Sequence, residues 1–209
     1  MGNANPSSMV IEVSTLDHLL IKDYKDSNIT IENIQFKGAN NNTIQLDGGN
    51  NIQILDSEIE FSGEDGIQAL GVVDLIIERN IVRNTYNNSL HLKYGNDNAI
   101  VRDNEIVNTA LVAGRTQNDD AAGVGIFVRG EKILVQHNSI IHSGFNGIQF
   151  SGNHTLIKNN FVDTFCLIKS DGGGIYTYGG SEYQSYTGRK IEGNIVVNGI
   201  GSLGGAKKR

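Results

Sequence analysis

A short phrase, apolar–x–apolar–x–x–Asn followed by another apolar residue, returns along this chain at nearly constant intervals. It occurs at Ile52–Ser57, Leu75–Asn80, Ala99–Asn104, Ile133–Asn138 and Thr155–Asn160. Each segment alternates apolar and polar residues and ends on Asn or Ser. A second apolar residue follows within two positions: Ile59, Ile81, Ile106, Ile140 and Phe161. Asn33 with Ile34, and Asn194 with Ile195, extend the series at both ends. Successive Asn or Ser positions lie 24, 23, 24, 34, 22 and 34 residues apart. The two longer intervals read as the same unit carrying an insertion. A fixed period in this range is the mark of a solenoid, in which each unit buries its apolar face only by stacking on its neighbours.

Period-two alternation makes each phrase a short strand. Coils stacked about 4.8 Å apart place equivalent residues above one another. Ile54, Ile77, Val101, Val135, Ile157 and Ile191 then form an interior aliphatic stack. Asn33, Asn80, Asn104, Asn138, Asn160 and Asn194, with Ser57, form a ladder at a corner, where Asn tolerates the left-handed conformation. A second phrase closes each coil: Thr43–Gly48, Gly66–Gly71, Ser89–Gly95, Gly125–Gly130, Gly147–Gly152 and Gly174–Gly179. These are strands bounded by glycine turns. A leucine-rich repeat needs denser Leu and a hexapeptide helix a shorter period, so the fold expected is a right-handed parallel β-helix of about seven coils. We place it at residues 10–200, with a leader at 1–9 and a tail at 201–209.

The chain's Ile- and Val-rich, Asn- and Gly-rich composition, without Trp and with Pro6 as its single proline, agrees with strands and tight turns. A formal charge of −6 argues against nucleic acid as the main partner. No run of 18 apolar residues exists, so membrane insertion is not expected. Cys166 is alone and reads as a small buried hydrophobe.

The two phrases resemble the parallel β-helix repeats of the pectate-lyase-like superfamily over about residues 28–200. That resemblance implies the fold, and it makes a carbohydrate-active protein on a polysaccharide, outside the cell or in the periplasm, the leading expectation. Fold alone does not set the chemistry.

Alternation in the closing strand assigns faces. With Ile44, Ile67, Leu90, Ile126, Ile148 and Ile175 inward, Gln45, Gln68, His91, Phe127, Gln149 and Tyr176 point outward. Asp47, Leu70, Lys93, Arg129, Ser151 and Tyr178 form a second outward column. The middle and late coils thus concentrate His91, Lys93, Arg129, Phe127, Tyr176 and Tyr178 on one wall. Loops at 109–124, 163–173 and 180–190 flank it and carry Arg115, Asp119, Asp120, Asp171 and Glu182. Loops beside one sheet turn a wall into a groove, where Phe127 and Tyr176 would meet sugar faces and Arg115, Asp119, Asp120 and Glu182 would add polar contacts. Each of these residues also has an ordinary reading as solvated surface.

Three functions remain open at this point. A uronic-acid polysaccharide lyase or C5-epimerase needs a cation to neutralise the sugar carboxylate and a base for the C5 proton. Arg129 suits the first role, and Lys93, His91 or Tyr178 the second. The resemblance adds that β-helix lyases commonly use Lys or Arg, often with Ca2+. His91 with Asp119, Asp120 or Asp171 would offer ligands to Ca2+, although no spacing motif demands a metal. A glycoside hydrolase needs two carboxyl groups roughly 5–9.5 Å apart, which Asp171 with Asp119, Asp120 or Glu182 would supply. The Gly-His-Gly and Arg-Ile-Lys runs of β-helix polygalacturonases are absent. A binding or structural β-helix, whether whole or a fragment of a longer protein, needs neither constellation.

Overall fold

The computed structural model describes residues 10, 12–117, 122–178 and 185–202. Seven coils of three strands follow one another. The first three are β1 (Leu20–Lys22), β2 (Ile29–Glu32) and β3 (Gln35–Ala39); β4 (Ile44–Asp47), β5 (Asn50–Leu55) and β6 (Glu58–Ser62); then β7 (Ile67–Leu70), β8 (Val73–Glu78) and β9 (Ile81–Thr85). Coil four is β10 (Leu90–Leu92), β11 (Ile100–Arg102) and β12 (Glu105–Thr109), and coil five is β13 (Ile126–Arg129), β14 (Leu134–Gln136) and β15 (Ser139–Ser143). Coils six and seven are β16 (Ile148–Ser151), β17 (Leu156–Lys158) and β18 (Phe161–Phe165), then β19 (Ile175–Thr177), β20 (Lys190–Glu192) and β21 (Ile195–Gly199). Every third strand pairs in parallel, giving three seven-stranded sheets wrapped around one core. No helix occurs among the described residues. The first strand starts at Leu20, and Leu16, Asp17 and Leu19 already bond along the stack to Asn40, Asn41 and Thr43.

The register bears out the interior stack: Ile31, Ile54, Ile77, Val101, Val135, Ile157 and Ile191 are consecutive partners. All but Ile191 are buried. Continuous burial is what makes the solenoid one cooperative core rather than seven weak coils.

The Asn ladder runs as expected from Ser57 to Asn194. The side-chain oxygens of Asn80, Asn104, Asn138, Asn160 and Asn194 each accept the backbone N–H of the preceding rung at 2.8–3.1 Å. Its first member is corrected. Ser57 Oγ accepts from the N–H of Ile34, not Asn33. Asn33 belongs one column earlier, with Asp56, Arg79, Asp103, His137 and Asn159, all at φ between 47° and 57°. The left-handed bend therefore sits just before the rung, which frees the rung's amide to bond along the stack.

Candidate functional site

The first sheet presents the expected wall. Ile21, Gln45, Gln68, His91, Phe127, Gln149 and Tyr176 are in register down its outer face. Three residues ahead of these, the chain enters the sheet through a second ladder that the repeat phrases did not reveal. Asn42 Oδ1 accepts the N–H of Asp65, Asp65 Oδ1 that of Asn88, and Asn88 Oδ1 that of Val124. Asn146 Oδ1 accepts the N–H of Gly173. In three coils the ladder residue also clips the Gln three positions on: Asn42 to Gln45, Gln68 to Asp65, and Asn146 to Gln149.

Coil four has neither the clip of coils two, three and six nor the Ile, Phe or Tyr that coils one, five and seven place in that column. His91 stands where the Gln would be, and its Nδ1 lies 2.8 Å from Asp65 Oδ2 in the coil before. Asn88 Nδ2, which would have clipped a Gln, is buried without a partner. An unpaired buried donor costs about 1–3 kcal/mol, so the His91–Asp65 bond is made against the local packing. Departures of this kind from a repeating structural rule gather at functional sites.

Asp65 is 0% exposed and each oxygen is fully engaged. Besides His91 it receives Gln68 Nε2 at 2.9 Å, Asn87 Nδ2 at 2.7 Å and the N–H of Asn88 at 2.9 Å. Burial alone would push its carboxyl up. The hydrogen bond and charge of His91, joined by Gln68 and Asn88, outweigh burial and hold it below the usual carboxylate value. A carboxylate on Nδ1 keeps the proton there and leaves the lone pair on Nε2, the arrangement of a base held by an acid. Nε2 has no hydrogen bond among the described residues, and His91 as a whole is 7% exposed.

A depressed carboxyl stabilises the fold while ionised. That contribution is complete above the unfolded value of about 3.9 and is lost as pH falls through the lower folded value. Asp65→Asn removes it. The stability difference between wild type and variant should be largest above about pH 4 and shrink on further acidification, read from urea midpoints at stepped pH. Parallel midpoint curves would contradict the assignment.

Phe127 is corrected. It points out of the sheet as expected, but at 1% exposure it offers no platform to a ligand. Val124, Phe145 and Cys166 pack around it outside the barrel. Its ring stacks on His91 at 5.3 Å and 17°, so it fixes the imidazole plane. Arg129 lies over Phe127 at 4.4 Å and over Tyr94 at 4.8 Å, and its Nη1 donates to Tyr94 Oη at 2.6 Å. No ion pair to a carboxylate is formed by Arg129 among the described residues. Lys93 is half-buried on the same wall and follows β10 directly.

The remaining expected residues do not join this group. Arg115 sits over the ring of Tyr86 at 4.9 Å, in a groove with Lys37 and Phe61 at the corner where the chain enters the first sheet. Tyr176 and Tyr178 are exposed, two coils beyond Phe127 and Arg129. Asp171 is exposed, and its charge, after burial, helps push the Cys166 thiol up. Asp119, Asp120 and Glu182 lie outside the described residues. No group of three or more His, Cys, Asp or Glu side chains is placed to hold a metal among the described residues.

Reading the sequence missed Asp65, Asn87, Asn88 and Tyr94. The available signal was Asp65 itself, an acid in the column that holds Asn42, Asn88 and Asn146 elsewhere. It lies 26 residues from His91, and only stacking brings the two together.

No curated protein matches the chain. The solved structure of the Agl-KA catalytic domain aligns over 89% of this chain and 44% of its own, at 15% identity and a TM-score of 0.48. The chain thus spans less than half the length of that solved protein. The model of the right-handed β-helix region matches residues 7–121, more than half of the 209 residues. With seven parallel coils already in place, the chain belongs to the right-handed β-helix family.

Proposed function

We propose that this protein is a polysaccharide-active enzyme that removes the C5 proton of a uronic-acid unit, as a lyase or a C5-epimerase. The observation that carries the reading is the Asp65–His91 pair, built where coils two, three and six clip a Gln to their own ladder residue. A lone surface His would need no buried carboxylate with four donors behind it.

In this reading the polymer lies on the first sheet. The carboxylate of one unit meets Arg129, whose guanidinium is fixed by Phe127 and Tyr94 yet forms no ion pair with a described acid. Neutralising that carboxylate acidifies C5. His91 Nε2 takes the C5 proton, and the C–H electron pair moves into the carboxylate as an enolate. From there two outcomes differ only in where the electrons return. In elimination the C4–O bond breaks, and the departing oxygen takes a proton from Lys93 or Tyr94. In epimerisation C5 is protonated again from the other face. Asp65 holds the imidazolium formed in between. Substrates of this kind place the enzyme outside the cytoplasm.

The test is incubation with alginate, pectate and glycosaminoglycan chains, with and without Ca2+. Elimination is followed by the ultraviolet absorbance of the unsaturated product, and epimerisation by proton NMR in deuterated water. Either an unsaturated end or deuterium at C5 is expected, reduced about 100- to 1000-fold in Arg129→Ala. Wild-type protein that yields neither signal on any of these polymers overturns the reading.

A further inference from the structure

The turn leaving the first sheet carries a second departure from the repeat. Four residues after the first inward residue of each strand, the chain has Gly48, Gly71, Gly130 and Gly152 in coils two, three, five and six. All four have positive φ, a conformation that favours glycine. The same position holds Tyr24 in coil one and Tyr94 in coil four.

Coil four shows how the tyrosine is accommodated. Gly95, at φ 77°, takes over the turn and stacks on Gly71, so that a Cβ on Gly95 would lie 3.3 Å from the Gly71 Cα. Tyr94 is in effect one residue inserted into the turn. It is 68% exposed and Tyr24 65%. The fold does not need either ring, since the neighbouring coils close the same turn with no side chain at all. Tyr24 leans across Gly48, whose Cβ would come 2.5 Å from the ring. A Cβ on Gly71 would meet nothing within 4 Å. Tyr24 therefore lies over the Gly48 turn, and the open backbone between the two rings is the turn at Gly71.

Three coil steps at strand spacing separate the two residues along the axis, about 14 Å. One coil step is close to the length of one pyranose unit in an extended chain. Arg129 covers one face of Tyr94 and leaves the rest of the ring to solvent. Exposed aromatic faces accept the C–H faces of sugar rings, and their hydroxyls reach ring oxygens and hydroxyls.

We infer that Tyr24 and Tyr94 are two sugar-binding platforms of one track, which guides an extended polysaccharide along the solenoid axis from Tyr24 over Gly71 toward Arg129 and His91. The inference rests on the polysaccharide reading above and adds the direction of the chain and the number of units it must span. Tyr94 serves the unit next to the reacting one, and Tyr24 serves a unit about three further away.

The experiment is calorimetric titration of wild type, Tyr24→Ala and Tyr94→Ala with alginate, pectate and neutral glucan oligosaccharides of two to eight units. Both tyrosines are exposed, so the variants should melt with wild type. Tyr94→Ala is expected to weaken short and long oligosaccharides alike, roughly three- to tenfold. Tyr24→Ala should weaken only those long enough to reach coil one. If wild type binds and Tyr24→Ala weakens dimers as much as octamers, or weakens neither, the track is wrong while the functional reading stands. If wild type binds none of them, both fall together.

Discussion

Replacing His91 with Gln should lower the melting temperature by no more than a few degrees while abolishing turnover. The repeat itself supplies the reason. Gln45, Gln68 and Gln149 occupy this column in three other coils, each bonded to the ladder residue three positions earlier. A Gln at 91 would accept from Asn88 Nδ2 and so relieve a buried donor worth about 1–3 kcal/mol. Asp65 would keep Gln68, Asn87 and the N–H of Asn88. Against this gain stands the lost stacking on Phe127, about 0.5–1.5 kcal/mol, and the lost charge-assisted bond, about 1.5–3 kcal/mol. At mid-range the losses exceed the gain by about 1 kcal/mol, a fall of a few degrees for a chain of this size. Removal of a general base lowers the rate about 100- to 10,000-fold. Thermal melts and polymer turnover on the same preparation check both halves. A melting point that falls by many degrees would make His91 a structural staple and deprive the functional reading of its main support.

Asn104→Ala should be the most damaging single change outside the apolar core. Asn104 Nδ2 donates to the carbonyls of Ile77 and Arg102 and to Asn138 Oδ1, each at 2.9 Å. Its Oδ1 accepts the backbone N–H and the side-chain amide of Asn80. Alanine keeps the backbone but strands the N–H of Asn80 and the carbonyl of Ile77 inside the wall. At about 1–3 kcal/mol for each stranded group, the loss is roughly 2–6 kcal/mol, a large share of a typical domain's stability. Denaturant unfolding measures it directly. A loss under about 1 kcal/mol would mean that the stacked amides are replaceable by water. Asn33→Ala, one column outside the ladder, is the matched control and should cost far less.

These variants show how much of the molecule was legible in the primary structure. Spacing fixes which residues stack, so the interior column from Ile54 to Ile191 and the outward wall could be read off by period and alternation. Phase at the corner could not. Asn33 and the true rungs are the same residue type, and only the bond from Ile34 N–H to Ser57 Oγ shows which column each belongs to. Exposure could not be read either. Alternation places Phe127 outside the sheet, yet Val124, Phe145 and Cys166 arrive from three separate chain segments to cover it.

The candidate site divides along the same line. His91, Lys93 and Arg129 were visible as chemical residues on one face, because in-register stacking makes a column a property of the repeat. Asp65 and Asn88 were not, since each reads locally as a turn residue. What the sequence by itself determined is the solenoid, its period and its faces, all consequences of periodic burial. Only the tertiary structure decided that His91 bonds back to the preceding coil and leaves its own Asn88 unpaired. That choice depends on a 2.8 Å approach between side chains 26 residues apart, which no period encodes.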